Sequence, residues 1–231
     1  MASLPGSDGR PASLVEPPDG APRLRADARR NLDLILAAAR DVFAEQGPGA
    51  PLEEIARRAG VGIATLYRRF PDRQALAHGV ALDVWRRVTR EVQLALDEEP
   101  DAFRALARYM HRALDLRVGA VLPVLAGQVP ADDEVSEARD ASAAAIQRLV
   151  DAALAEGTLR PDVAFGDTGL LLIRLGRPLP GPFPRALDDA LAHRHLDLLL
   201  DGLRAAGDRP DPLPGPALTL TDLQTMFLGA T

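Results

Sequence analysis

A chain of 231 residues with 47% apolar side chains is long enough to bury the core of one large or two small domains. The absence of cysteine removes disulfides, thiolate metal ligands and cysteine nucleophiles together. No run of about 18 uninterrupted apolar residues marks a membrane span, and no apolar stretch near the N-terminus resembles an export signal, so the sequence reads as cytoplasmic, with no membrane partner. All 27 basic residues are arginine, and the net charge of −6 is unevenly spread: residues 21–73 hold ten arginines against seven acids, residues 74–231 hold 16 against 23. A basic head on an acidic body is expected if only the head meets phosphates.

Residues 1–22 mix five prolines with glycine and serine and carry too little apolar content to fold, which predicts a disordered tail. A helix is expected from residue 28, where Leu32, Ile35, Leu36, Ala39, Val42 and Phe43 recur three and four apart, with Asp27 capping its start and Gly47 its end. A second helix is placed over 51–58, with Pro51 at its first position, and a third over 62–69. Pro71 then stops the chain, and Asp72 is placed to cap a fourth helix that repeats Leu76, Val80, Val84, Val88 and Val92 until Pro100. Further helices are expected near 102–117, 133–156, 166–176, 185–206 and, more weakly, 219–228, with no strand. The segments around 133–156 and 185–206 each run to a glycine suited to a C-cap, and the Pro-rich stretches 176–184 and 208–216 are connectors.

The informative stretch is LEEIARRAGVGIATLYRRF, residues 52–70. Ile55 and Ala56 face inward, Gly60 permits a tight turn, Val61 fills the angle between two short helices, and Leu66 and Phe70 anchor the second. This is what a helix-turn-helix needs, leaving the outer face of the second helix free for a DNA major groove.

Extended through PDRQAL, the same stretch resembles the TetR-type transcriptional regulators, in the order IA, a small residue and AGV, then LY, an F, and a charged turn before a leucine. The likeness runs over about residues 28–80. It implies an all-α fold: a disordered tail 1–22, a helix-turn-helix domain 23–72, a helical ligand-binding and dimerisation domain 73–207, and a Pro-rich connector with a tail or short helix over 208–231. It implies base-edge contacts from Ile63, Ala64, Thr65 and Arg68 and phosphate contacts from Tyr67 and Arg73, with Gly62 opening the recognition helix and Arg25 and Arg29 on the flanking backbone. Two positions depart from the family pattern: Gly62 and Ala50 stand where capping hydroxyls are usual. Losing such a cap costs roughly 0.5 to 2 kcal/mol, but only a few tenths when glycine replaces it. By position in the family, Trp85, Phe103, Tyr109, Met110 and His111 are candidates to line a ligand cavity. The last long helices carry more apolar surface than one internal stripe needs, which makes Leu170, Ile173, Leu196, Leu199 and Leu203 candidates for a homodimer interface.

Arg57 and Arg58 lie on the first helix of the pair and are expected to be solvated. His78, His111, His193 and His195 have no metal-ligand spacing beyond His193 with Asp197, and no cofactor or metal is expected. The function that follows is a DNA-binding regulator: a dimeric repressor on a palindromic double-stranded operator, released by a largely apolar small-molecule effector. The competing reading is an all-helical small-molecule binding protein or enzyme without DNA binding.

Overall fold

The computed structural model describes residues 20–130, 132–205 and 212–228, with the side chains of 20–25, 227 and 228 outside that description. Among the described residues the protein has ten helices and no strand, only an isolated antiparallel bridge between Leu159 and Arg204.

Helix α1 (Gly20–Gln46) begins eight residues before its expected start, so Asp27 lies inside the helix rather than at its cap, and residues 20–22 of the expected tail are helical. Residues 1–19 of that tail lie outside the described residues. Ile35, Ala39, Val42 and Phe43 of α1 are almost fully buried. The helix ends as expected at Gly47, in the left-handed conformation with φ +79°, whose N–H donates to Phe43 O at 3.0 Å. Helix α2 (Leu52–Ala59) starts one residue later than its proline suggests: Pro51 is extended and serves as the N-cap position. Helix α3 (Ile63–Arg69) follows, then α4 (Arg73–Glu98), whose cap Asp72 accepts from Ala75 N at 2.7 Å.

The every-fourth stripe of α4 is buried throughout, Leu76, Val80, Val84 and Val88 completely and Val92 to within 1%. Helix α4 packs on α1, α5 (Ala102–Asp115) and α7 (Asp133–Ala155), and His78 near its start meets Asp132, the cap of α7, at 2.7 Å. The caps Asp101 and Asp132 each accept a backbone N–H three residues on, at 2.8 Å. One continuous core therefore runs from Ile35 to Leu203, with α4 as its spine.

Between α5 and α7 lies α6 (Val118–Leu125), which the sequence pattern does not reveal: VGAVLPVL is apolar all round, so it has no periodicity, and it contains Pro123. Helix α8 (Phe165–Leu175) crosses it at backbone contact. A Cβ added at Gly119 would lie 2.1 Å from Leu172 O, and one at Gly176, the cap of α8, would lie 3.3 Å from Ala120 N of α6. Gly119→Ala is therefore expected to force α6 and α8 apart at a cost of about 1 to 3 kcal/mol, read as a lowered thermal midpoint by circular dichroism. An unchanged midpoint would mean the two backbones do not touch.

Helix α9 (Arg185–Leu203) stops three residues short of its expected end, because the chain turns extended at Arg204 and pairs with the segment after α7: Arg160 N donates to Leu203 O and Ala205 N to Thr158 O, both at 3.0 Å. The glycine expected to cap it, at 207, lies outside the described residues. The short helix expected over 219–228 is present as α10 (Leu220–Leu228).

Candidate nucleic-acid interface and internal cavity

The turn between α2 and α3 is set by Gly60. At φ +67° it lets Val61 N donate to Ala56 O at 3.0 Å while its own N–H donates to Arg57 O at 3.2 Å, the paired bonds of a Schellman motif. A side chain with Cβ resists that conformation, so the glycine sets the angle at which α3 leaves α2. Leu66, fully buried, and Phe70, 8% exposed, fix α3 to the core. The opposite face of α3 is left outward, with Gly62, Ile63, Ala64, Tyr67, Arg68 and Arg69 exposed and Thr65 half-buried. Arg68 Nη2 donates to Thr65 Oγ1 at 2.9 Å, which brings two of the expected base readers together.

Arg29 is exposed on α1, while the side chain of Arg25 lies outside the description. Arg73, expected to meet phosphate, also has a structural tie: its Nη1 donates to Pro48 O at 2.8 Å and to Ala50 O, joining the loop before α2 to the start of α4. Engaged through Nη1 alone, the guanidinium positions the head and keeps Nε and Nη2 for other contacts.

Arg57 and Arg58 both close on Glu54, at 2.8 and 2.7 Å, and Arg58 also reaches Glu45 at 2.6 Å. Their hydrogen bonds hold the Glu54 carboxyl at about 2, below the ordinary carboxylate range. Both cations thus stay on the acids of α1 and α2, which leaves Arg68 and Arg69 as the arginines of the outward face of α3.

Beneath the head, a cavity of about 240 Å³ opens among α4, α5, α6, α7, α8 and α10. Trp85 and Tyr109, expected there, line it together with Leu122, Pro123, Ile146 and Leu172. Burial pushes the Tyr109 phenol up from its ordinary value, so it stays protonated and able to donate. The other three candidates do not line it. Phe103 is 1% exposed, with the Arg204 guanidinium 4.3 Å above its ring, and Met110 is wholly buried. His111 lies at the surface between α5 and α9. Its Nδ1 is 2.8 Å from His193 Nδ1, and with ring centroids 5.1 Å apart and planes 12° apart the rings meet edge to edge, in a hydrogen bond whose donor depends on the tautomer. Asp197 lies beyond His111 at 3.0 Å and Asp115 beyond His193 at 3.1 Å, so the pair is a polar tie between helices.

What sequence reasoning missed at the cavity comes from α6, α7, α8 and α10, among them Leu122, Ile146, Leu172, Leu220, Leu223 and Gln224. The only signal was the three-residue apolar spacing of Leu220 and Leu223. A larger cleft of about 410 Å³ between α1 and α9 is lined by Asp41, Glu45, Arg58, Arg117 and Arg185. These are paired charges, with Arg185 on Asp41 at 2.6 Å and also on Glu45, and Arg117 on Asp189 at 2.7 Å. It links α9 to the head, whereas the inner cavity is the one with an apolar wall.

The candidate dimer residues divide. Leu196 is fully buried and Leu203 is 8% exposed, so both belong to the core of a single chain. Ile173 lines the cavity, and only Leu170 and Leu199 remain half-buried near the surface. The leucines of α9 that face outward are Leu187 and Leu198, at 47% and 61% exposure, with Leu191 half-buried between them.

A family model of bacterial regulatory proteins of the tetR family matches residues 35–80, and a model of the C-terminal domain of SbtR-like transcriptional regulators matches residues 101–205. The crystal structure of the TetR transcriptional regulator SCO0520 from Streptomyces coelicolor is 37% identical, with a TM-score of 0.56 over 76% of this chain and 99% of that one. The TetR-like regulator LfrR from Mycobacterium smegmatis, solved in complex with proflavine, is 25% identical, with a TM-score of 0.51 over 73% of this chain and 95% of that one. The HTH-type transcriptional regulator AlkX from Mycobacterium tuberculosis is 34% identical over 88 residues, 38% of this chain and 42% of that protein. The chain belongs to the TetR family. It is a DNA-binding transcriptional regulator and not an enzyme. Among the described residues no helix is long and apolar enough to cross a membrane.

Proposed function

We propose that the protein is a homodimeric repressor that binds a palindromic operator and is released by a largely apolar effector held in the inner cavity. The observation that carries this reading is the continuity of α4: Asp72 and Arg73, at its start, directly follow the recognition helix, and Trp85, one turn past its first third, lines the cavity. A molecule that prefers one tilt of α4 thereby prefers one placement of α3, and only such a difference in affinity between two states shifts an equilibrium. That LfrR was solved in complex with proflavine supports a small-molecule effector, and the apolar wall of this cavity supports a largely apolar one. Leu170 and Leu199, joined by Leu187 and Leu198, supply the apolar face for a second copy, and a two-fold dimer requires a two-fold operator.

The test is selection of bound fragments from genomic DNA, followed by binding at rising salt. A palindrome bound with steep salt dependence is expected, since each neutralised phosphate releases a counterion. Arg68→Ala should change which bases are preferred, at about 1 to 3 kcal/mol of discrimination, whereas Tyr67→Phe should weaken all sequences alike. No retained fragment at low salt would favour a small-molecule binder without an operator. Equal loss on operator and random DNA would remove Arg68 from base reading.

A further inference from the structure

We propose that α10 is a lid on the cavity, docked by Gly166 and Asp162, which holds an apolar occupant in place and must lift before that occupant leaves. The inference rests on the reading of the cavity as the effector site and adds how that site is closed. Both family matches end by residue 205, so α10 lies outside the framework they describe.

The docking is built by specific contacts. Gly166 N donates to Leu218 O at 2.8 Å, an approach that only glycine allows, because a Cβ there would sit 2.4 Å from that oxygen and 2.7 Å from Leu218 Cβ. Asp162, held by Arg160 at 2.7 Å, accepts from Leu213 N at 2.6 Å. Thr219 and Asp222 then start the helix: Asp222 accepts from Thr219 N at 2.8 Å, and Thr219 Oγ1 accepts from Asp222 N at 3.2 Å. Leu220, Leu223 and Gln224 turn to the cavity, while Thr225 and Met226 face outward, Met226 at 65% exposure.

A helix of nine residues is marginal in water on its own, and this one is held by its cavity-facing leucines, one backbone bond from Gly166 and one bond from the Leu213 N–H to the Asp162 carboxylate. Docked and lifted states therefore lie close in free energy. An occupant that touches Leu220 and Leu223 gains those contacts only in the docked state and so stabilises it. Its chemistry follows from the wall, which is mostly apolar. Arg139 and Ser142 also line it, but Arg139 is paired with Asp140 at 3.0 Å and the Ser142 hydroxyl donates to Arg139 O at 3.1 Å. The Tyr109 hydroxyl, the Trp85 indole N–H and the Gln224 amide, by contrast, have no hydrogen-bond partner among the described residues. These fit an extended or flat apolar molecule bearing one or two hydrogen-bond acceptors.

Trp85 is the only tryptophan of the chain and reports directly on the cavity. The experiment compares the full-length wild type with Gly166→Ala, Leu223→Ala and the outward-facing control Met226→Ala. It reads quenching of Trp85 by acrylamide without ligand, and stopped-flow dissociation of the neutral dye N-phenyl-1-naphthylamine. Gly166→Ala and Leu223→Ala should each increase quenching and speed dye release by about tenfold, equivalent to about 1.4 kcal/mol, and Met226→Ala should change neither. If Gly166→Ala disturbs folding by circular dichroism, Leu223→Ala carries the same test, since it only trims the lid's inner face. Unchanged quenching and unchanged dye release in both variants would overturn the lid. Increased quenching with no dye binding to any form would support the cover and overturn the effector reading.

Discussion

Leu66→Ala should abolish binding to operator and random DNA alike while leaving the cavity intact. Leu66 is completely buried and, with Phe70, which packs on Gly79 of α4, is what holds the seven-residue α3 against α2 and the core. Removing a buried leucine to alanine costs about 2 to 5 kcal/mol, because the lost transfer energy is joined by that of the void. A helix of two turns has no stability of its own to absorb the loss, so α3 should detach before the rest of the chain unfolds. The measurements are thermal denaturation, with a midpoint lowered by roughly 5 to 15 °C, and fluorescence anisotropy on labelled DNA. Binding that survives at wild-type strength would mean that α3 is not the element that meets DNA.

Leu198→Glu separates the dimer from the fold. In one chain Leu198 is 61% exposed, and exchanging such a residue on a monomer surface changes stability by no more than about 0.5 kcal/mol. If a second copy covers it, the new carboxylate must lose its water without a partner. Light scattering should then give half the wild-type mass, and operator affinity should fall on the order of a hundredfold or more, toward the non-specific range. Leu199→Glu is the weaker test because Leu199 is half-buried in its own chain, so both effects would be mixed. A wild type that is monomeric, or a variant that stays dimeric and binds normally, would remove α9 from the interface.

The head was legible because its chemistry is local. Gly60, the inward Ile55 and Ala56, and the anchors Leu66 and Phe70 act over fewer than twenty residues, and the structure places each where the spacing puts it. The tie of Arg73 Nη1 to the carbonyls of Pro48 and Ala50 has no trace in local spacing, because its partners lie more than twenty residues away. The body was legible as helices but not as faces. Helix α9 is leucine-rich on two sides, so the pattern could not say that Leu196 turns inward and Leu198 outward. Helix α6 was hidden by the opposite fault, apolarity with no alternation at all, together with a proline. His111 was assigned to the cavity by position on α5, but it turns toward His193 on α9, and a partner on another helix leaves no trace in local spacing.

The length of α4 sets a scale for regulation. Its 26 residues make a rod of about 39 Å at 1.5 Å per residue. A tilt of only about 5° about the C-terminal end would carry Arg73, and α3 with it, through about 3.4 Å, close to one base-pair step. In a two-fold pair, equal tilts in opposite senses add, so the separation of the two recognition helices would change by about 7 Å against a half-site spacing of about 34 to 36 Å. On the proposed reading, an occupant at Trp85 would have no need to remodel the head. A displacement there of about 2 Å, little more than a bond length, would be enough at the far end of such a rod to put both readers of a dimer out of step with the groove.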